Sequence, residues 1–312
     1  MLISICSISQ PGSLKTTRVD RHSPSRVFSL LPAILTLSLV SFACAQIASA
    51  ESKTTGPSAA ELDPSNPRSI MDAVKAQVTG DKVISQMEMT ITDKDGRKRT
   101  RTVESRALDF PEGTKQIMVF QSPADIKGTG LLSIDYEDGA KDDDQWLYLP
   151  SLHKSTRISS GDKSGSFMGT DLSYADMTES DPSHYKYTML KESTRVKLDG
   201  QPEECWLIES RPITDKAKKE TGYVKSFVWV SKEKMMPIQI KAMIRKGKKT
   251  KYIKFRGVKK VDGIWTAHAI IAMTKRGKSV ESVTKLIFHK MSFNNDTVAA
   301  SDFSLDRLEQ GL

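Results

Sequence analysis

From about residue 83 to residue 292 one pattern recurs: apolar and polar side chains alternate, and the alternating runs are broken by turn dipeptides. In KVISQMEMTITDKDGRKRTRTVESRALDF, Val83, Ser85, Met87, Met89 and Ile91 alternate with Ile84, Gln86, Glu88, Thr90 and Thr92, and Asp95-Gly96 supplies a turn. Residues two apart share a face of a strand, so the pattern predicts hairpins with one dry and one wet face. KQIMVFQSP, LLSIDY, QWLYLP, YKYTMLK, CWLIESRPI, YVKSFVWVS, MPIQIKAMI, KTKYIKFRGV, IWTAHAIIAMT and SVTKLIFHKMSF follow in the same manner. Asp199-Gly200, Lys246-Gly247, Asp262-Gly263 and Arg276-Gly277 join them over short distances, as antiparallel neighbours require. About eleven strands in up-and-down order cannot lie as one flat sheet. The expected fold is mainly β: an incompletely closed antiparallel β-barrel, a meander, with a few short helices plugging its concave face. Those helices are SIMDAVKAQV, where Ile70, Val74 and Val78 fall four apart beside Met71, and a short piece over 171–177.

The first 50 residues read differently. Arg18, Arg21 and Arg26 precede the uncharged run VFSLLPAILTLSLVSFACA, which leads to Ala48-Ser49-Ala50. That is the layout of a secretory signal and predicts cleavage near Ala50, hence a periplasmic protein. The alternatives are a retained membrane anchor and lipid attachment at Cys44. Residues 51–67 are polar, carry prolines and lack periodicity, as a flexible linker does; residues 68–312 form the folded domain. Of the three cysteines only Cys205 lies in that domain, which excludes an internal disulfide.

The domain is poor in the constellations that carry chemistry. His153, His184, His268 and His289 form neither H-E-x-x-H nor H-x-H, and there is no G-x-S-x-G elbow, P-loop or dinucleotide fingerprint. Ser166 and Ser173 could act as nucleophiles only beside a histidine base, which no spacing selects. Glu137, Asp138, Asp142, Asp143 and Asp144 read as a solvated turn. No enzyme activity, metal or cofactor is expected. The chain is basic, at net charge +9, but RKRTR, KAKK and RKGKKTK fall at hairpin tips and wet strand faces, where lysines also guard sheet edges. Nucleic acid is not an expected partner; transient membrane contact is, and if these runs bind anything, the expected targets are anionic lipid headgroups or an acidic partner.

The densest segment is DQWLYLPSLHKSTRISSGDKSGSFMGTDLSYADM, residues 144–177. WLYLP and Lys154 to Ile158 predict two strands, and the Gly161-Asp162-Lys163-Ser164-Gly165 run a mobile connection. Phe167, Met168, Leu172, Tyr174 and Met177 then gather on a short helical piece capped by Thr170 or Asp171. Such a piece suits a lid over an apolar mouth better than it suits catalysis. An ordinary packed loop is the alternative.

The export signal, short helix, long meander, QWLYLP-SLHKSTRI, SFMGTDLSYADM, the MMPIQI strand and the closing FSLDRL together resemble the outer-membrane lipoprotein-sorting family, in its LolA-like branch of longer uncharacterised members. The resemblance spans about residues 65–312. It implies a half-barrel whose apolar concave face holds acyl chains, making 68–312 a LolA/LolB-like lipid-carrier domain. The implied partners are lipids or lipoprotein acyl chains, together with an inner-membrane exporter of the resistance-nodulation-division type. An accessory or scaffold protein docking on such an exporter is the alternative function. The expected cavity and lid residues are Met118, Phe120, Leu147, Phe167, Met168, Leu172, Tyr174, Trp229 and Ile240. Arg106 stands roughly where carriers of this fold use an arginine to hold the lid shut.

Overall fold

The structure is a computed structural model that describes residues 62–77 and 79–312. The expected signal, Cys44, residues 51–61 of the expected linker and Val78 lie outside the described residues, and the end of that linker instead caps and opens a helix at Asn66 and Pro67.

The alternating runs assemble into one antiparallel sheet of thirteen strands. The first half comprises β1 (Lys82–Asp93), β2 (Lys98–Phe110), β3 (Gly113–Ser122), β4 (Gly130–Tyr136), β5 (Asp144–Leu149) and β6 (Lys154–Arg157). The second comprises β7 (Tyr185–Leu198), β8 (Gln201–Pro212), β9 (Tyr223–Ser231), β10 (Pro237–Ile244), β11 (Lys249–Val261), β12 (Ile264–Arg276) and β13 (Ser279–Ser292). Each half is a meander, and the halves join where β1 pairs with β13. The sheet is therefore open. Its two edges are β6 and β7, which are consecutive in the chain but lie at opposite ends of the strand order. Residues 158–184 must carry the backbone from one edge to the other, and they do so across the concave face. A connection that long without strands of its own is uncommon unless it has a task, and here the topology supplies one.

Alternation sets the two faces. Met87, Met89 and Ile91 of β1, Val103 of β2, Val228 and Val230 of β9 and Leu286 of β13 point inward into one apolar core. On β3 and β4 burial is nearly continuous, because both faces are covered. Met118, Phe120 and Leu131 look inward, while Ile117, Val119 and Leu132 pack against Leu308 on the outer side. That outer cover is a C-terminal helix, Leu305–Gln310, started by the Ser304 side chain, which accepts from the Arg307 N–H at 3.1 Å. Asp199-Gly200 and Asp262-Gly263 have positive φ at both residues (50° and 88°; 52° and 84°), the geometry whose twist matches a two-residue hairpin.

Helix α1 spans Pro67–Lys75. Asn66 caps it, its side-chain oxygen accepting from the Arg68 N–H at 2.9 Å, and Pro67 opens it where no donor is needed. Ile70 and Met71 are its buried residues. The expected helical piece over 171–177 is not one element. Two single 3-10 turns form instead, Phe167–Gly169 and Tyr174–Met177, with Thr170 extended between them. Neither Thr170 nor Asp171 caps a helix: the Thr170 hydroxyl accepts from the Leu172 N–H at 3.1 Å, and the Asp171 carboxylate is taken up by Ser282 and Thr284 of β13.

Candidate functional site

The segment crossing the concave face is a strap fastened at several points. Phe167, Leu172 and Met177 enter the inner core with Met118 and Phe120. The Phe120 and Phe167 ring centroids lie 6.0 Å apart, and those of Phe167 and Tyr174 5.7 Å apart, edge to face. Around this packing, polar groups tie the strap to widely separated elements. From β2, Arg101 Nη1 donates to Met168 O at 2.7 Å. On β5, Gln145 Nε2 donates to Tyr174 O at 3.0 Å. The Asp171 carboxylate accepts from Ser282 Oγ (2.6 Å) and Thr284 Oγ1 (2.8 Å) of β13. Asp176 accepts from Tyr223 Oη of β9 at 2.6 Å and from the Ser173 N–H at 2.8 Å, and it forms an ion pair with Lys251 of β11. Burial alone would raise the Asp176 pKa, yet Lys251 and these hydrogen bonds bring it below the usual carboxylate value. The same environment, burial first and then the Asp176 charge, pushes the Tyr223 phenol well above its ordinary value.

The expected mobile connection is equally fixed. Lys163, 1% exposed, donates to Asp143 O and to Glu220 Oε1, both at 3.0 Å. Nearby, burial and then repulsion by Asp143 and Glu179 raise the Asp135 pKa well above that of a free carboxyl. A buried charge persists only when paired, so the Lys163–Glu220 ion pair ties this connection to α2 (Asp215–Thr221).

The cavity lies elsewhere along the trough. A partly open slot of about 170 Å³ lies between α1, the 179–182 segment, the turn before β10 and residues of β11, β12 and β13. Its wall is apolar: Met71 and Val74 of α1, Tyr187 of β7, Met235, Met236 and Pro237, Phe255, Ile264, Ala267, Ile270 and Phe288. Lys75, Gln77, Thr79, Glu179, Ser180, Lys234 and Thr266 are the polar groups at its border. Lys234 is held in place by Glu203 at 2.9 Å and lies 4.9 Å from the Trp265 ring centroid. Lys75 reaches Glu137 at 3.3 Å. The site is a slot with a helix as its cover, and the chemistry it offers is apolar contact.

None of the residues expected to line a cavity lines this one. Met118, Phe120, Phe167, Leu172 and Ile240 are packed into dry core, and Met168 and Tyr174 lean on it. Leu147 shares the inner face with its partner Leu131 but is only half-buried, near the β6 edge. Trp229 is on the other face, packed against Leu198, Cys205 and Ile238, because its neighbours Val228 and Val230 point inward. Arg106 also points outward, where Nη1 donates to Asp302 at 3.1 Å. The arginine that reaches the strap is Arg101. The sequence reading missed α1's partners: the Met235-Met236 pair, Phe255, Ala267 and Phe288 are distant in the chain and meet only through strand order. Asp171 and Asp176 did carry a signal, since carboxylates inside an apolar stretch imply buried partners. Ser166 Oγ donates to Thr170 O at 2.6 Å.

A family model described as an uncharacterized protein matches residues 112–310. Among solved structures, a domain described as an outer membrane lipoprotein-sorting protein from Vibrio parahaemolyticus is 29% identical, with a TM-score of 0.68 over 79% of this chain and 100% of that one. A DUF1329 family protein from Desulfovibrio piger is 27% identical, with a TM-score of 0.66 over 78% and 97%. A LolA superfamily protein from Nitrosomonas europaea, 16% identical, shares the fold at a TM-score of 0.56 over 77% and 98%. No curated protein matches the sequence.

Proposed function

We propose a carrier function from one premise: the chain belongs to this uncharacterized protein family, a LolA-like branch of the outer-membrane lipoprotein-sorting proteins. The protein binds acyl chains of a lipid or of a lipid-modified protein in the slot beneath α1 and passes them between membrane components of the periplasm. The observation that carries this reading is the apolar wall around about 170 Å³ of space under a small, separable helix. Each methylene withdrawn from water is worth about 0.8 kcal/mol, so an acyl chain in transit needs such an enclosure. A scaffold docking on an exporter does not, which is why the carrier is preferred. The described volume takes part of one chain. A larger cargo requires α1 to move outward, which would withdraw Ile70, Met71 and Val74 from the core and break one ion pair, from Lys75 to a largely exposed Glu137.

The test is cargo recovery. Protein exported to a bacterial periplasm, purified without detergent and examined by native mass spectrometry and solvent extraction, is expected to carry phospholipid or fatty acyl species. It should release them on addition of an environment-sensitive apolar dye, which takes their place. Protein that carries nothing and admits no dye would overturn the carrier reading.

A further inference from the structure

The outer face of the sheet is covered on one half by the C-terminal helix, through Leu308. Among the described residues no helix packs over the outer face of β9–β13. Pairing register fixes what that face displays. One cross-strand row contains Met243, Thr250, Lys275 and Val280, and the next contains Phe227, Lys241, Tyr252 and Met273. Met243 and Val280 are about 40% exposed, at 39% and 40%. The lysines stand among the rings: Lys241 is 5.8 Å from the centroids of both Phe227 and Tyr252, and Lys275 is 5.7 Å from Tyr252. Further along the same face lie Lys254 and Lys285. Lys241, Lys254, Lys275 and Lys285 form no ion pair among the described residues. At the end of these strands the β10–β11 and β12–β13 turns stand side by side, through the Lys249 and Arg276 pairing. They add Arg245, Lys246, Lys248 and Lys278, all exposed.

Unpaired lysines on neighbouring strands repel one another, so this arrangement gains only when an anionic surface approaches. The interleaved rings and aliphatic groups narrow the choice. Lysine ammonium groups beside aromatic rings and exposed aliphatic side chains match the boundary between headgroups and acyl chains. Its uniform positive charge opposes a second copy of itself. We propose that the outer face of β9–β13 docks this protein on anionic phospholipid bilayers. The docking is independent of cargo, since the slot opens on the inner face.

Flotation of delipidated protein with vesicles tests it, comparing phosphatidylcholine alone with an equimolar phosphatidylcholine and phosphatidylglycerol mixture. Binding is expected only to the anionic vesicles and should weaken with salt. The triple variant K241Q/K254Q/K275Q should lose binding by about tenfold or more, since each lysine near an anionic membrane contributes on the order of 1 kcal/mol. An equally discharged control, K127Q/K154Q/K191Q, should stay within about twofold of the wild type, with circular dichroism confirming that both variants fold. Equal loss in both triples, equal binding to neutral vesicles, or no vesicle binding would each overturn the proposal. Retention on immobilised polyglutamate without vesicle binding would likewise overturn it, assigning the face to an acidic protein.

Discussion

Arg101 reaches from β2 to the backbone of the strap, donating to Met168 O at 2.7 Å with its charge 5.6 Å from the Phe120 ring centroid. Arg106, five positions along the same strand, faces the opposite way and donates to Asp302. An odd separation on a strand places two side chains on opposite faces, so one arginine secures the strap and the other the C-terminal turn.

Arg101→Ala is therefore expected to cost about 2 kcal/mol, the range for a hydrogen bond from a charged donor, and to raise amide exchange across residues 166–171. Arg106→Ala should leave those amides protected and affect only the 300–308 region. Hydrogen exchange read by mass spectrometry separates the two; strap exchange that rises in Arg106→Ala instead would reverse the assignment.

The Asp176 and Lys251 side chains are 5% and 6% exposed. Lys251→Met leaves the Asp176 carboxylate buried without its cation and should cost about 3–5 kcal/mol in urea unfolding. Pairing it with Asp176→Leu should recover much of the loss, and strictly additive losses would show that the two charges do not act together. Because the folded pKa of Asp176 is lowered, its contribution is fully present above the unfolded carboxylate pKa. That contribution disappears as pH falls below about 4 toward the folded value.

Asp135 has the opposite sign. Its folded pKa is raised by burial, then by Asp143 and Glu179, so the folded state binds more protons than the unfolded state above pH about 4. Stability from this site falls as pH rises from there to the folded pKa. Asp135→Asn should melt higher than the wild type at pH 7 and lose that advantage at about pH 4 and below. A melting difference that does not change with pH would place the effect in packing rather than ionisation.

Ala267 is small and buried on the slot's wall. Ala267→Phe should fill the slot, reducing recovered acyl cargo by about tenfold or more, the affinity equivalent of about 1.4 kcal/mol, while the fold persists. Replacing both Met168 and Tyr174 with Asp, by contrast, puts charge against packed core and is expected to lower the melting temperature before it alters cargo selectively. Cargo loss in a fully stable Met168 and Tyr174 variant would return the binding surface to the strap.

The sequence by itself determined the strands, their order as hairpins and which side chains share a face, because a period of two and a turn dipeptide act over a few neighbouring residues; it left open which face looks inward, and Trp229 and Arg106 look outward. It also marked 166–177 as unlike its surroundings, and α1 through Ile70 and Val74. Only the tertiary structure decided what that segment closes over. The pairing of β1 with β13 places β6 and β7 at opposite edges, which forces residues 158–184 across the trough and brings Asp171 to Thr284 and Asp176 to Lys251. Those meetings depend on pairings between residues more than seventy positions apart, and no local period encodes them. The same distance effect leaves Met118 and Phe120 in packed core and puts open space beside α1, Phe255 and Ala267. Alternation says that a side chain points inward, whereas filled core and open space are distinguished only by what other segments place opposite it.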